Sequence, residues 1–199
     1  NQDYARSRGL EFEFKKRIGN WFSGSAYLTY SIVTGKSFSA AEGVLVLQGD
    51  LEESIKEEHM PWDRPITAST NLNFYINDGL FGFAPSVFDN MTVHTRIFFE
   101  SGKRYTPAEF SGYLENGRPE YTYDRDDRYS ELGDNWFWVN LNISRSFKIG
   151  PTELEIFVEI NNIFDTKNSA IINPVTGEAY EWGDPVPTSW NDPRYPDLQ

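Results

Sequence analysis

Two histidines, no cysteine and a surplus of carboxylates bound the chemistry open to this chain. His59 follows Glu57 and Glu58, and His94 stands two residues before Arg96. Neither histidine has a partner at zinc-ligand spacing, and without cysteine there is no thiolate ligand, thiol nucleophile or disulfide framework. Serine, histidine and aspartate are all present, yet no spacing assembles them into a nucleophile, base and orienter. Glu155 and Glu159 share one side of a strand, as paired catalytic carboxylates could; a row of polar wall residues is the simpler expectation. Asp124-Arg125-Asp126-Asp127-Arg128 offers carboxylates at Asp124, Asp126 and Asp127 to a calcium ion. It lacks the spacing of a dedicated calcium loop and is diluted by two arginines, so a solvated, self-paired loop is the competing expectation. Arg96, Lys103 and Arg104 could meet an anionic ligand, with solvated strand-end charge as the alternative. These residues point to no enzyme: no catalytic residue, no cofactor and no resident metal are expected.

The elements that must carry these residues are strands. Apolar residues alternate with polar ones in six stretches, near 8–17, 21–34, 65–77, 90–102, 135–148 and 152–164. Leu10, Phe12 and Phe14 alternate with Glu11, Glu13 and Lys15; Met91, Val93, Thr95, Ile97 and Phe99 alternate with Thr92, His94, Arg96 and Glu100. A strand sends successive side chains to opposite faces, so each stretch has one apolar face and one of Ser, Thr, Asn or charge. The expected apolar face holds Leu10, Leu28, Leu72, Ile97, Leu141 and Ile156. The expected polar face holds Ser25, Asn71, His94, Arg96, Asn140, Glu155 and Glu159. Helical periodicity is missing; Leu51–Glu58 has helix-forming composition but is short and acidic, at most a loop helix.

The connections alternate short and long. Gly19-Asn20 and Lys148-Ile149-Gly150-Pro151 read as tight turns, and residues 78–90, with Gly79, Gly82 and Pro85, as a moderate one. Residues 35–64, 103–134 and 165–199 are long polar segments, larger than compact soluble domains usually carry. Of 199 residues, 18 are basic and 30 acidic, a net charge of −12. The three long segments carry −4, −3 and −4 of it, leaving −1 for the strands and short turns. The acidic balance argues against nucleic acid as a partner. No apolar run approaches the ~18 residues of a transmembrane helix, and 16% aromatic content argues against disorder.

Long strands with one wet face, joined by short turns at one end and long loops at the other, are the pattern of an antiparallel up-and-down transmembrane β-barrel. Trp21, Phe22, Trp62, Trp136, Phe137 and Phe164 gather toward strand ends, where interfacial rings would lie. About six strands fall short of the usual minimum of about eight, so a partial barrel is expected.

Several stretches carry a family resemblance. Ser7-Arg8-Gly9-Leu10-Glu11-Phe12-Glu13-Phe14, a turn, and Ala26-Tyr27-Leu28-Thr29-Tyr30-Ser31 resemble a late hairpin in the barrels of TonB-dependent receptors. Pro61-Trp62-Asp63-Arg64-Pro65 is similar to a strand entry in Bacteroidota-like members, with Pro65 where a histidine is common. Ser101-Gly102-Lys103-Arg104-Tyr105-Thr106-Pro107 resembles the family's strand exit. Val158-Glu159-Ile160-Asn161-Asn162-Ile163-Phe164-Asp165 resembles the signature of its penultimate strand, the most specific of the four. The resemblance implies that residues 1–199 are the C-terminal segment of such a barrel, about strands sixteen to twenty-one of about 22. The plug domain, the TonB box and the last strand would lie outside this sequence. It further implies an outer-membrane active transporter or receptor for a siderophore, vitamin, glycan or peptide, energised through TonB. The implied partners are outer-membrane lipid and lipopolysaccharide, the protein's own plug, the TonB complex and a surface lipoprotein.

Two other classes compete. A passive porin-like barrel would have no plug. A soluble carbohydrate-binding β-sandwich would use Trp62, Trp136 and Trp138 as stacking platforms, and would bring the apolar faces of all six strands together in a closed core.

Overall fold

A computed structural model describes residues 4–17, 19, 21–36, 48–49, 57–77, 88–124 and 126–185. The expectations placed on Asn20, Gly79, Gly82, Pro85, Arg125 and residues 186–199 of the last long segment lie outside the described residues, as do residues 51–56 of the expected loop helix.

Each of the six alternating stretches is a strand: β1 (Ala5–Lys16), β2 (Phe22–Gly35), β4 (Ile66–Ile76), β5 (Met91–Glu100), β10 (Trp136–Ile149) and β11 (Thr152–Ile160). They pair antiparallel in the order β1-β2-β4-β5-β10-β11, each long strand beside the next along the chain. A two-residue strand, β3 (Glu58–His59), joins the loop end of β2. Glu58 is therefore extended rather than helical, because the free edge of β2 beyond its pairing with β4 offers hydrogen bonds there.

The expected excursion 103–134 contains further strands. β6 (Arg104–Tyr105) pairs with β9 (Glu131–Leu132), and β7 (Ala108–Tyr113) with β8 (Pro119–Tyr123) across a register shift between Phe110 and Gly112. β11 ends before the expected position 164, because Asn162 turns left-handed at φ 51°. At the opposite end, Ile149 pairs with Thr152 around Gly150-Pro151, and Gly150 supplies the positive φ, 64°, that a two-residue hairpin turn favours.

Register fixes the faces, since paired residues point to the same side. Phe12 pairs with Leu28, Leu28 with Ala68, Ala68 with Phe99 and Phe99 with Phe137. Counting along the strands by two puts Leu10, Leu28, Leu72, Ile97, Leu141 and Ile156 together on this apolar face. No second sheet of the described residues packs on it: close strand contacts run between hydrogen-bonded neighbours. Leu10 remains 62% exposed, Leu28 43% and Ile156 55%. Met60 and Val139 are the only buried apolar side chains among the described residues, whereas Ser23, Asp63, Ser101 and Asn173 are buried and polar. Among the described residues the structure is thus all-β and antiparallel in its sheets, and its main sheet stays open, with β1 and β11 at the edges.

Candidate functional site

The opposite face of the main sheet gathers every polar-wall residue expected there. Ser25 pairs with Asn71, Asn71 with Arg96 and Arg96 with Asn140, a straight row across four strands. The adjacent row runs Ser23, Asn73, His94, Asn142 and Glu159 across five. Glu155 shares that face opposite Ser146, four residues and roughly 13 Å of strand from Glu159. That separation is too long for a catalytic carboxylate pair.

Short polar side chains in register tie the rows together. His94 Nδ1 lies 2.6 Å from Asn73 Oδ1; an amide oxygen only accepts, so the ring nitrogen donates. Asn73 Nδ2 donates to Ser23 Oγ at 3.4 Å, and Ser23 Oγ lies 3.4 Å from the Tyr75 hydroxyl. Toward the loop end the row becomes aromatic. Trp138 stacks on Phe98 at 5.2 Å between centroids, and the Arg96 guanidinium lies 5.3 Å from the Trp138 ring centre. Arg64 lies 5.1 Å from the Trp136 ring centre and pairs with Glu100. Guanidinium groups therefore occupy ring faces of the two tryptophans that a sugar platform would leave clear, while Trp62 sits in a turn outside the main strands.

The loop end of the sheet is held by a buried charge cluster. Asp63 is fully enclosed. Its Oδ1 accepts the Val33 amide at 2.8 Å and its Oδ2 the Arg104 Nε at 3.1 Å. His59 Nδ1 lies 3.2 Å from the same Oδ2, an ion-pair distance without hydrogen-bond alignment. Arg104 Nη1 also donates to Ser130 O at 2.8 Å. Arg104 is consequently an internal partner rather than a solvated strand-end cation. Lys103 Nζ donates to Ala170 O at 3.3 Å. The glycine of the 101–107 stretch has a packing reason: a side chain on Gly102 would run into the Gly133 carbonyl.

Asn162 anchors the end of β11. Its backbone N–H donates to Asn140 Oδ1 at 2.9 Å; its side chain donates to Thr166 O at 2.9 Å and accepts from the Thr166 hydroxyl at 2.7 Å. Ile163 N still bonds Val139 O at 2.9 Å, and Phe164 stacks on Phe137 at 6.1 Å. Within residues 158–165, these contacts build a strand stop. Farther along, buried Asn173 donates to Asp184 Oδ2 at 2.9 Å. The Tyr121 hydroxyl donates to Pro185 O at 3.0 Å and lies 3.3 Å from that of Tyr180. Burial, then the Tyr121 hydroxyl, pushes the Tyr180 pKa above the ordinary tyrosine range.

Asp124 accepts the Asp126 amide at 2.9 Å in a local turn, and Asp127 O accepts the Ser130 amide at 3.3 Å. Among the described residues, no three His, Asp or Glu side chains converge as a metal-holding group, and Asp124, Asp126 and Asp127 do not form one. Asp63 and Asn173 were not singled out as site residues from sequence. The signal for Asp63 was its place in the Pro61–Pro65 stretch; for Asn173 there was none.

No protein-family model, no curated protein and no solved structure matches the chain.

Proposed function

We propose that this chain is part of the wall of an up-and-down transmembrane β-barrel in the bacterial outer membrane, belonging to a TonB-dependent active transporter or receptor. One observation carries the membrane half of the proposal: long, register-paired strands present a continuous apolar face on which no second sheet of the described residues packs, and Val139 is the one buried apolar side chain of that face among the described residues. In water such a face would be costly at about 25 cal/mol per Å², whereas lipid is its natural solvent. The opposite face supplies the Ser, Asn, His, Arg and Glu rows that a watered lumen tolerates. The two sheet edges, β1 and β11, need strand partners in a bilayer, which favours a larger barrel over a six-stranded one. The transporter half rests on the resemblance of the four quoted stretches. In this reading the segment performs no chemistry: it gives a lipid-facing wall, a polar lumen surface for the plug, and acidic loops at the outer end.

The test is biochemical and then physiological. Produced from its native gene, the protein should fractionate with the outer membrane, require detergent for extraction and migrate faster on gels before boiling than after. Uptake of its ligand should stop when TonB is deleted. A detergent-free soluble monomer would reject the barrel and favour the sandwich; membrane insertion with TonB-independent flux would favour the porin.

A further inference from the structure

We infer that Arg6 and Arg8 form a binding site for the phosphorylated headgroup of a lipid in the leaflet next to the long loops. The inference rests on the membrane reading above. Counting back by two from Leu10 puts both arginines on the apolar face of β1, opposite Thr34 and Ile32. They follow directly on the Phe14, Phe12, Leu10 stripe, at the end of the strand away from the tight turn. Cations at the margin of a lipid-facing stripe lie at headgroup level, where phosphate oxygens are the complementary acceptors.

Their surroundings leave them donors to spare. The side chains are 54% and 63% exposed. Each lies 3.9 Å from one oxygen of the same Glu57 carboxylate, beyond hydrogen-bond reach. Both oxygens are already engaged: Oε1 accepts the Tyr4 hydroxyl at 2.6 Å and Oε2 the Thr34 hydroxyl at 2.9 Å. Two guanidinium groups against one carboxylate leave a local positive charge in a chain whose net charge is −12. A guanidinium offers a planar fork that matches phosphate oxygens, and two forks can grip one headgroup while its acyl chains lie along Leu10, Phe12 and Phe14. Arg6 also lies over the Tyr4 ring at 5.9 Å, a contact that leaves its N–H donors open; at the opposite margin Lys16 lies over the Phe22 ring at 5.7 Å as a lone ammonium, and Arg145 bonds Asp89 O at 3.2 Å.

The experiment uses the native full-length protein in nanodiscs of zwitterionic lipid doped with a phosphorylated anionic lipid, with bound lipid counted by native mass spectrometry. Wild type should retain the anionic lipid. Arg6→Gln and Arg8→Gln should each weaken retention by roughly fivefold, Glu57→Gln should tighten it, and Lys16→Gln should leave it unchanged. Equal retention by the Arg6→Gln/Arg8→Gln variant would overturn the inference, as would displacement of the lipid by inorganic phosphate, which would mark a free-anion site. Heat-modifiable gel migration of every variant is scored in parallel. A protein that never enters the membrane fails the barrel reading; one that enters without arginine-dependent retention fails this inference alone.

Discussion

Asp63 and Arg104 lie 41 residues apart in the chain, yet Arg104 Nε and Asp63 Oδ2 meet at 3.1 Å. The carboxylate is fully enclosed and the arginine side chain is 11% exposed. Through Val33 N–H and Ser130 O, this one pair ties the loop end of β2, the approach to β4, the start of β6 and the 126–130 turn to one another. Polar groups, together with the single buried apolar side chain of Met60, hold the loop-side structure on the sheet.

Breaking that pair from one side leaves a buried charge uncompensated. Asp63→Asn is expected to destabilise the folded protein by about 3 kcal/mol or more, read as a shift in the urea midpoint in detergent. Arg104→Gln should cost a similar amount, and the double variant clearly less than the sum. Additive losses would show that the two side chains are not coupled.

The two faces of the sheet should answer differently to the same charge. Leu28→Arg puts a guanidinium on the apolar face and should cost about 2–4 kcal/mol in lipid. Ser25→Arg, on the other face, should change stability by no more than about 0.5 kcal/mol. Reversal of that order in equilibrium unfolding from liposomes would reverse the assigned sidedness.

Asn162 has two separable contributions, a left-handed backbone and a set of side-chain hydrogen bonds. Asn162→Gly keeps the backbone and loses the bonds, about 1 kcal/mol. Asn162→Ala loses both and should cost about 2 kcal/mol or more. Proteolytic nicking between β11 and Thr166 should follow the same order.

Hydrogen bonds from Tyr4, then Thr34, hold the Glu57 carboxyl below the ordinary glutamate range. A depressed folded-state value binds protons less readily than the unfolded chain does. The stabilisation is therefore complete above the ordinary range of about 4.3 and is lost as pH falls through the folded value. Hydrogen exchange of the amides at the loop end of β1 and β2 should accelerate on acidification, and Glu57→Gln should flatten that response. An unchanged pH profile in the variant would assign the effect to another group.

Much of the sheet was legible because period two is a property of the backbone itself. Leu10-Glu11-Phe12-Glu13-Phe14 can satisfy its alternation only as a strand, and that alone sorts side chains onto two faces. Hence Ser25, Asn71, Arg96 and Asn140 could be assigned to one face before their register was known. What the sequence left undetermined is long-range. Nothing local distinguishes Arg104, enclosed against Asp63, from a solvated strand-end cation, or Asn173 from an ordinary loop asparagine. Nor does local pattern reveal β6 with β9, because a two-residue strand is too short to show a period. The short-range stereochemistry of alternating residues fixed the strands and their faces. Only the tertiary structure decided which polar groups lost their water, since burial depends on what the rest of the chain brings against them.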